Sequence, residues 1–331
     1  FYSQIIIPGI KGLSYRLNMS HNYRWSNTAN ANEFGAGQSG SAGKFNESTY
    51  DFMLDNILTY KNNFNEHGLE VTLVYGLNRI NYEGTLAEGN DFPNLKLSYN
   101  NLETAVNQFI ESRAWEEAYL YQMARLNYNY KGKYNITATV RRDGFSGFSE
   151  NNKTALFPSI GVGWFISDEP FMQNINTVSN LKLRASYGIN GNLTNRYSSL
   201  ARVASPESSR YVFGDGGSTD NGITTNSLAN PNLSWETTEG INIGLDFGIL
   251  EGRLAGSLDY YQTTTTDLLW DFSLPELTGF NEIRTNLGKI ANSGFEAIIN
   301  AIPVQNQNFS WNLNFNFATN NNEIQELIGL D

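Results

Sequence analysis

Residues 133–142 read KYNITATVRR, residues 154–167 read TALFPSIGVGWFIS, and residues 180–192 read NLKLRASYGINGN. Each piece alternates. In the first, Tyr134, Ile136, Ala138 and Val140 share one face, and Asn135, Thr137, Thr139 and Arg141 share the other. In the second, Ile160, Val162, Trp164 and Ile166 oppose Ser159, Gly161 and Gly163. In the third, Leu181, Leu183, Ala185, Tyr187 and Ile189 oppose Lys182, Arg184, Ser186 and Gly188. Strict period two predicts β-strands with one apolar face and one polar or small face. A length of about ten residues suits a tilted strand that crosses a bilayer. The three pieces together predict a membrane β-barrel.

The same pattern recurs outward from this stretch. Toward the N-terminus, strands are predicted over 12–25, 52–60, 69–77 and 120–130. Toward the C-terminus they are predicted over 233–247, 253–269, 287–302 and 309–319. The last is the cleanest, with Phe309, Trp311, Leu313, Phe315 and Phe317 against Ser310, Asn312, Asn314 and Asn316. With the opening three this makes about eleven strands, an odd number, whereas bacterial single-chain barrels have an even one. The fold class is therefore all-β: a transmembrane antiparallel β-barrel, present in part, with residues 1–331 as one partial barrel domain.

Connections at 62–68, 131–132, 248–252 and 303–308 are short, whereas 26–49, 78–114 and 191–231 are long and rich in Gly, Ser and Asn. Short turns at one end and long loops at the other are the habit of outer-membrane barrels. A soluble sandwich has no reason to segregate loop lengths in this way. The segment SDEPFMQNINTVSN (167–180) reads as a short helix or turn, with Ser167 or Asp168 as cap and Pro170 in the first turn. Phe315→Asp is expected to damage membrane insertion while Asn314→Asp is mild, because charge is penalised on the lipid face and not in the lumen. Equal yields of the two variants in the outer membrane would overturn this register.

Composition supports the reading without deciding it. Charged residues make up 17% and aromatics 13%, and mean hydropathy is −0.40. A polar lumen, an apolar outer band and aromatic girdles together give such a balance. The chain has no cysteine, which excludes disulfides and thiolate metal sites. No apolar run is long enough for a membrane helix, so a spanning structure must be a closed barrel. A net charge of −11 argues against nucleic acid as a partner. It suits a solvated surface facing lipopolysaccharide. No signal peptide is visible, and Phe1 falls in mid-pattern, so the chain is expected to be a fragment or a processed piece.

Several blocks resemble the SusC/RagA family of TonB-dependent outer-membrane transporters of the Bacteroidetes. They are Leu54–Tyr60 with Glu66–Leu69; Arg141–Gly144 with Phe157–Ser159, Gly163–Ser167 and Glu169–Phe171; and Leu181–Gly188 with Gly191 and Asn192. Asn230–Glu236, Asp259–Tyr261, Asp267–Leu269 and Asn292–Glu296 complete the set. Their order and spacing carry the likeness. It implies a barrel of about 22 strands filled by a plug, lidded by a SusD-like surface lipoprotein and driven by the TonB complex. It also implies import of oligosaccharides or peptides, contact with membrane lipid, and pairing of two transporter–lipoprotein units. The TonB box, the plug and the early strands of that pattern are absent from this sequence, and its end, Glu326–Asp331, lacks the terminal aromatic of a finished last strand.

No catalytic residue, metal site or cofactor is expected. His21 and His67 lie far apart without ligand spacing, and Glu116–Glu117 reads as ordinary loop charge. The loop Gly214–Asp220 has oxygen donors and glycines but does not match the EF-hand pattern, so it reads as an external loop. Arg141, Lys182 and Arg184 fall on polar strand faces, where they could touch substrate or plug or pair within the wall. Tyr211 and Phe213, with Tyr82, Phe92, Trp115, Trp270 and Phe280, are aromatics expected in external loops, with Trp115 and Trp270 read as girdle residues. Gly191 and Pro231 read as turn punctuation. The rival readings are a TonB-dependent receptor for an iron chelate, a soluble β-rich adhesin or glycan-binding module, and, third and weakest, an enzyme that turns over a glycan.

Overall fold

In the computed structural model, alternation becomes a hydrogen-bonded sheet running from Tyr2 to Glu326. The structure describes residues 1–32, 40–205, 210–213, 215–216 and 218–327, without the side chains of Phe213 and Ser218. The first strands are β1 (Tyr2–Ile6), β2 (Leu13–Asn32), β3 (Ser41–Phe64), β4 (His67–Asn90) and β5 (Asn107–Tyr130). β6 (Tyr134–Phe145), β7 (Thr154–Phe165) and β8 (Val178–Asn192) follow. Four short strands come next: β9 (Arg202–Ala204), β10 (Arg210–Phe213), β11 (Ser218–Asn221) and β12 (Thr224–Ser227). Then come β13 (Glu236–Ile249), β14 (Leu254–Thr266), β15 (Leu269–Ser273), β16 (Glu282–Asn286), β17 (Lys289–Gln305), β18 (Ser310–Ala318) and β19 (Asn321–Glu326).

The main sheet has 13 strands in the order β1 to β8, then β13, β14, β17 and β18, with β19 also on β17. All eleven strands expected from alternation are in it. The additions are β1 and β19, which are short and carry no alternating apolar face. β18 and β19 prolong each other: Ala318 pairs with Glu296 and Asn321 with Ser293 in one continuous register. Thr319 bridges the break, its N–H donating to the Phe295 carbonyl at 2.8 Å. The pairs β9–β12, β10–β11 and β15–β16 form three small hairpin sheets within the long connections.

Strand length departs from expectation. Much of 26–49 and 78–114, expected as loop, is strand, since β2 runs to Asn32, β3 starts at Ser41, β4 runs to Asn90 and β5 starts at Asn107. Alternation marks a strand when one face meets an apolar medium. Where the covered face is built from small and polar groups the ladder persists but the pattern fades, as at the end of β4, where Gly84 and Gly89 are the buried residues. The short connections match expectation. Lys131 (φ 56°) and Gly132 (φ 74°) make a two-residue reversal with both central residues left-handed, which suits a tight hairpin. Lys133 N–H closes it on the Tyr130 carbonyl at 3.0 Å.

By internal packing the chain divides into two units. The first is Phe1–Gln4, Arg16–Asn56 and Tyr75–Leu120. Its core is Ala42, Phe92 and Ala105, backed by Leu95, Tyr99 and Leu102. Phe92 is therefore buried, not an exposed loop aromatic. Trp115 stacks on Tyr82 at 5.1 Å between ring centroids, and Tyr82 Oη donates to Glu47 Oε2 at 3.1 Å. Both rings belong to strands, not loops. Glu116 and Glu117 are strand neighbours with separate partners, Arg79 at 2.8 Å and the Tyr119 hydroxyl at 2.8 Å. They form no shared carboxylate site.

The second unit is Ile5–Tyr15, Ile57–Val74 and Tyr121–Asp331. Its strands align their apolar positions in rows. One row runs Ile136, Val162, Ala185, Ile243, Tyr260 and Phe295. These side chains face outward: Ile243 is 50% exposed, Val162 46% and Phe295 39%. Exposed aliphatics in registered rows are an error in water and a requirement in lipid. At the short-turn end, aromatic rings run from strand to strand: His67 to Tyr130 at 4.8 Å, Tyr130 to Tyr134 at 6.1 Å, and Tyr134 to Trp164 at 6.5 Å. Such a run of rings suits the aromatic girdle of an outer-membrane barrel. Trp270 lies in the β15–β16 hairpin, off the main sheet, so it is not a girdle residue.

Candidate functional site on the polar sheet face

The other face of the same strands is built from small, amide, hydroxyl and charged side chains. At its centre Arg184 on β8 donates through Nε and Nη2 to both carboxylate oxygens of Asp246 on β13, each at 2.9 Å. Its Nη2 also reaches Asp259 on β14 at 3.0 Å, across the intervening strand. Gly244 makes this reach possible. It is paired with both Arg184 and Asp259, and a Cβ there would fall 2.5 Å from Asp259 Oδ1 and 2.6 Å from the guanidinium. Alternation placed Arg184 on this face. The same count places Asp246 and Asp259 on this face, and only the register brings the three together.

Lys182 sits one pair further along β8, its Nζ 4.7 Å from the centre of the Phe165 ring. No carboxylate is within ion-pair distance of it among the described residues. Gly161 and Gly163 open a shallow concavity beside Lys182 and Arg184, lined also by Asn135, Thr137 and Asn242. Arg141 is not part of this cluster. Arg184 pairs with Gly163, which pairs with Asn135, and Arg141 lies six residues along β6 from Asn135. At ~3.3 Å per residue that is about 20 Å away. There Arg141 binds Asp143 at 2.7 Å and covers the Tyr121 ring at 4.7 Å. Tyr211 is 65% exposed on the β10–β11 hairpin. The side chain of Phe213, and part of the loop 214–220, lie outside the described residues.

At the long-connection end, the quoted blocks converge. Phe148 and Leu233 are the most deeply buried side chains, joined by Phe145, Phe157 and Trp235. Phe148 lies 4.7 Å from Trp235, and Phe157 meets the same indole edge-on at 5.4 Å. Gly191 belongs to this packing. It sits inside β8, not in a turn, and a Cβ there would run into the Phe157 ring and come within 2.9 Å of Trp235. Asn230–Glu236 is tied down by polar contacts: Asn286 Oδ1 accepts from Ser234 N–H at 2.8 Å, and Glu236 accepts from Asn192 at 2.6 Å and from Leu269 N–H at 3.0 Å.

At the opposite end, Ile166–Asp168 and Pro170–Met172 form two single 3-10 turns. Neither Ser167 nor Asp168 caps them by a side-chain hydrogen bond, contrary to expectation. Glu169 between them packs beside Tyr134 and Trp164 of the outward face and is 8% exposed. It accepts from the Tyr134 hydroxyl, from Trp164 Nε1 at 3.0 Å, and from Lys133 at 3.5 Å. The hydrogen bond from Tyr134, then that from Trp164, hold the Glu169 carboxyl below its ordinary value. A lowered carboxyl pKa stabilises the fold above the unfolded value and loses that contribution as pH falls through the folded one. Thermal stability in detergent is therefore expected to drop as pH falls below about 4.5. Glu169→Gln should be less stable at neutral pH and show a flatter acid limb. Parallel melting curves of the two proteins at every pH would refute this.

Among the described residues there is no group of three or more His, Asp or Glu placed to hold a metal ion. His67 contacts the Tyr128 hydroxyl at 2.6 Å, and His21 packs on Tyr50 at 4.6 Å. Along this face the side chains offer polar contacts.

A family model described as TonB dependent receptor-like, beta-barrel matches residues 10–328. The chain belongs to this TonB-dependent receptor barrel family. Among curated relatives, TonB-dependent receptor P3 of Formosa agariphila is 38% identical over 88% of this chain and 29% of its own length. TonB-dependent receptor SusC of Bacteroides thetaiotaomicron is 41% identical over 62% of this chain and 21% of its own. The chain spans about a third or less of these TonB-dependent receptors. The solved RagAB peptide transporter superposes with a TM-score of 0.86 at 26% identity, covering 98% of this chain and 36% of that one. The pyoverdine receptor FpvA of P. aeruginosa, at 14% identity and a TM-score of 0.57 over 98% of this chain and 40% of its own, shares the fold alone. The resemblance to SusC and RagA and the all-β barrel class are thus borne out.

Proposed function

We propose that this chain forms part of the wall of a TonB-dependent outer-membrane transporter that imports nutrient fragments, oligosaccharides or peptides, together with a SusD-like surface lipoprotein. The observation that carries the reading is the two-faced sheet. Registered aliphatic rows end in an aromatic ladder on one side, and amides, hydroxyls and a neutralised arginine line the other. The first face suits lipid and the second suits a hydrated path. Likeness to SusC and to the RagAB peptide transporter favours nutrient cargo over an iron chelate. No covalent chemistry belongs to this reading. The work is capture, opening under TonB and the proton-motive force, and passage along the polar face.

The test is purification of the native protein from outer membranes in mild detergent, with identification of what travels with it. A stoichiometric surface lipoprotein, in one or two transporter–lipoprotein pairs, supports the proposal. A barrel carrying an iron chelate and no lipoprotein would replace it with a siderophore receptor. A protein soluble without detergent would overturn the membrane assignment itself.

A further inference from the structure

At the long-connection end, the segment between β8 and β13 and the β15–β16 hairpin enclose a polar cavity of about 300 Å³. Its walls include Ser198, Arg202, Ser227, Asp271, Glu282 and Arg284. Arg284 and Asp271 are direct partners across the hairpin, and Arg284 Nη1 donates to Asp271 Oδ2 at 2.8 Å. That contact sets the plane of the guanidinium. Its Nε–H is buried and has no acceptor among the described residues. A buried donor without an acceptor is unfavourable, and such groups call for an explanation. The Nε and Nη2 protons lie along one edge and form the fork that receives a carboxylate with two parallel hydrogen bonds. Here that edge carries no described partner.

Arg196 also lines the cavity, and Arg202 supplies a further cation. Its side chain is exposed, its Nε lies 3.4 Å from Ser227 Oγ, and no carboxylate is in ion-pair range among the described residues. Two further features narrow the ligand. Three arginines against Asp271 and Glu282 leave the lining one formal positive charge, which a single anion neutralises and sulfate or phosphate would overshoot, and the two carboxylates accept hydrogen bonds from hydroxyls. Ser198 offers a small donor–acceptor group of the same scale, whereas the Ser227 hydroxyl is already held by Leu200 and Arg202. A single negative charge attached to a hydroxyl-bearing ring satisfies all of these at once.

We propose that this cavity binds a uronate, a sugar unit carrying one carboxylate, with the carboxylate on Arg284 and Arg202 and the ring hydroxyls on Asp271, Glu282 and Ser198. Binding requires the Arg284 side chain to swing its Nε edge toward the cavity, since that edge is covered in the resting arrangement. The inference deepens the transport reading by choosing acidic saccharide as cargo, and it rests on that reading for its biological sense.

The test is saturation-transfer NMR on the native protein in detergent, with sodium glucuronate, glucose, sodium sulfate and N-acetylglycine as probes. Glucuronate is expected to bind, and glucose about tenfold or more weaker, because the charge-assisted fork is lost. Arg284→Lys keeps the charge without the fork, and Arg202→Gln alters only an exposed rim residue. Each should weaken glucuronate about tenfold while heat-modifiable mobility on gels stays that of the folded barrel. Equal binding of glucose, unchanged affinity in both variants, or sulfate binding as tight as glucuronate would overturn the proposal. N-acetylglycine binding as well as glucuronate would remove the sugar and leave a peptide carboxylate site. Lipoprotein co-purification is unaffected by any of these outcomes, so failure here is distinguishable from failure of the transport reading.

Discussion

Trp235→Ala is expected to destabilise the layer at the long-connection end by about 3–5 kcal/mol, the range for removing a large aromatic from a packed core. The indole is 7% exposed and holds Phe148 and Phe157 on two sides. Leu233, two residues before it, is fully buried. The loss should be local. Limited proteolysis should cut between β8 and β13 in the variant and not in the parent, while the barrel strands stay protected. Gly191→Ala attacks the same cluster from the opposite direction, by crowding, and should produce the same cleavage with less loss. Protection equal to the parent in both variants would show that the cluster does not hold the connection.

Ile243→Arg carries the second large effect, about 2–4 kcal/mol against insertion, because a cation is placed on the lipid face near mid-membrane. Ile243 stands between Ala185 and Tyr260 in the middle of the outward row. Its chain neighbour Asn242 faces the polar side, so Asn242→Asp should assemble normally. The readout is the yield of heat-modifiable barrel in outer membranes. Similar yields for the two variants would mean that the two faces have been assigned the wrong way round.

How much of this was legible in the sequence depends on what each residue faces. Where one side of a strand meets lipid, as from Tyr134 to Val140, the period is enforced and the strand can be read directly. Where the covered side holds glycines and polar groups, as at the end of β4, no apolar medium enforces the period and the strand reads as loop. The polar face was legible as a face but not as a set of contacts. Arg184 was visible, yet its clamp depends on the register that brings Asp246 and Asp259 alongside, and on a glycine that matters only for the side chain it lacks. Arg141, equal to Arg184 by alternation, is separated from it by distance along the strand, which alternation does not encode. Gly191 resembles a turn glycine in composition, and its role appears only when Phe157 and Trp235 arrive from other strands.

The Arg184 clamp has a mechanical consequence. Ladder hydrogen bonds hold each strand to its immediate neighbour, so a sheet under lateral tension fails at its weakest single seam. Arg184 spans two seams at once, binding β13 beside it and β14 beyond. Tension across either seam is then shared by both. A wall that must keep its circumference while something is pulled through it gains from a strap laid across the grain, and Gly244 is the slot through which that strap passes.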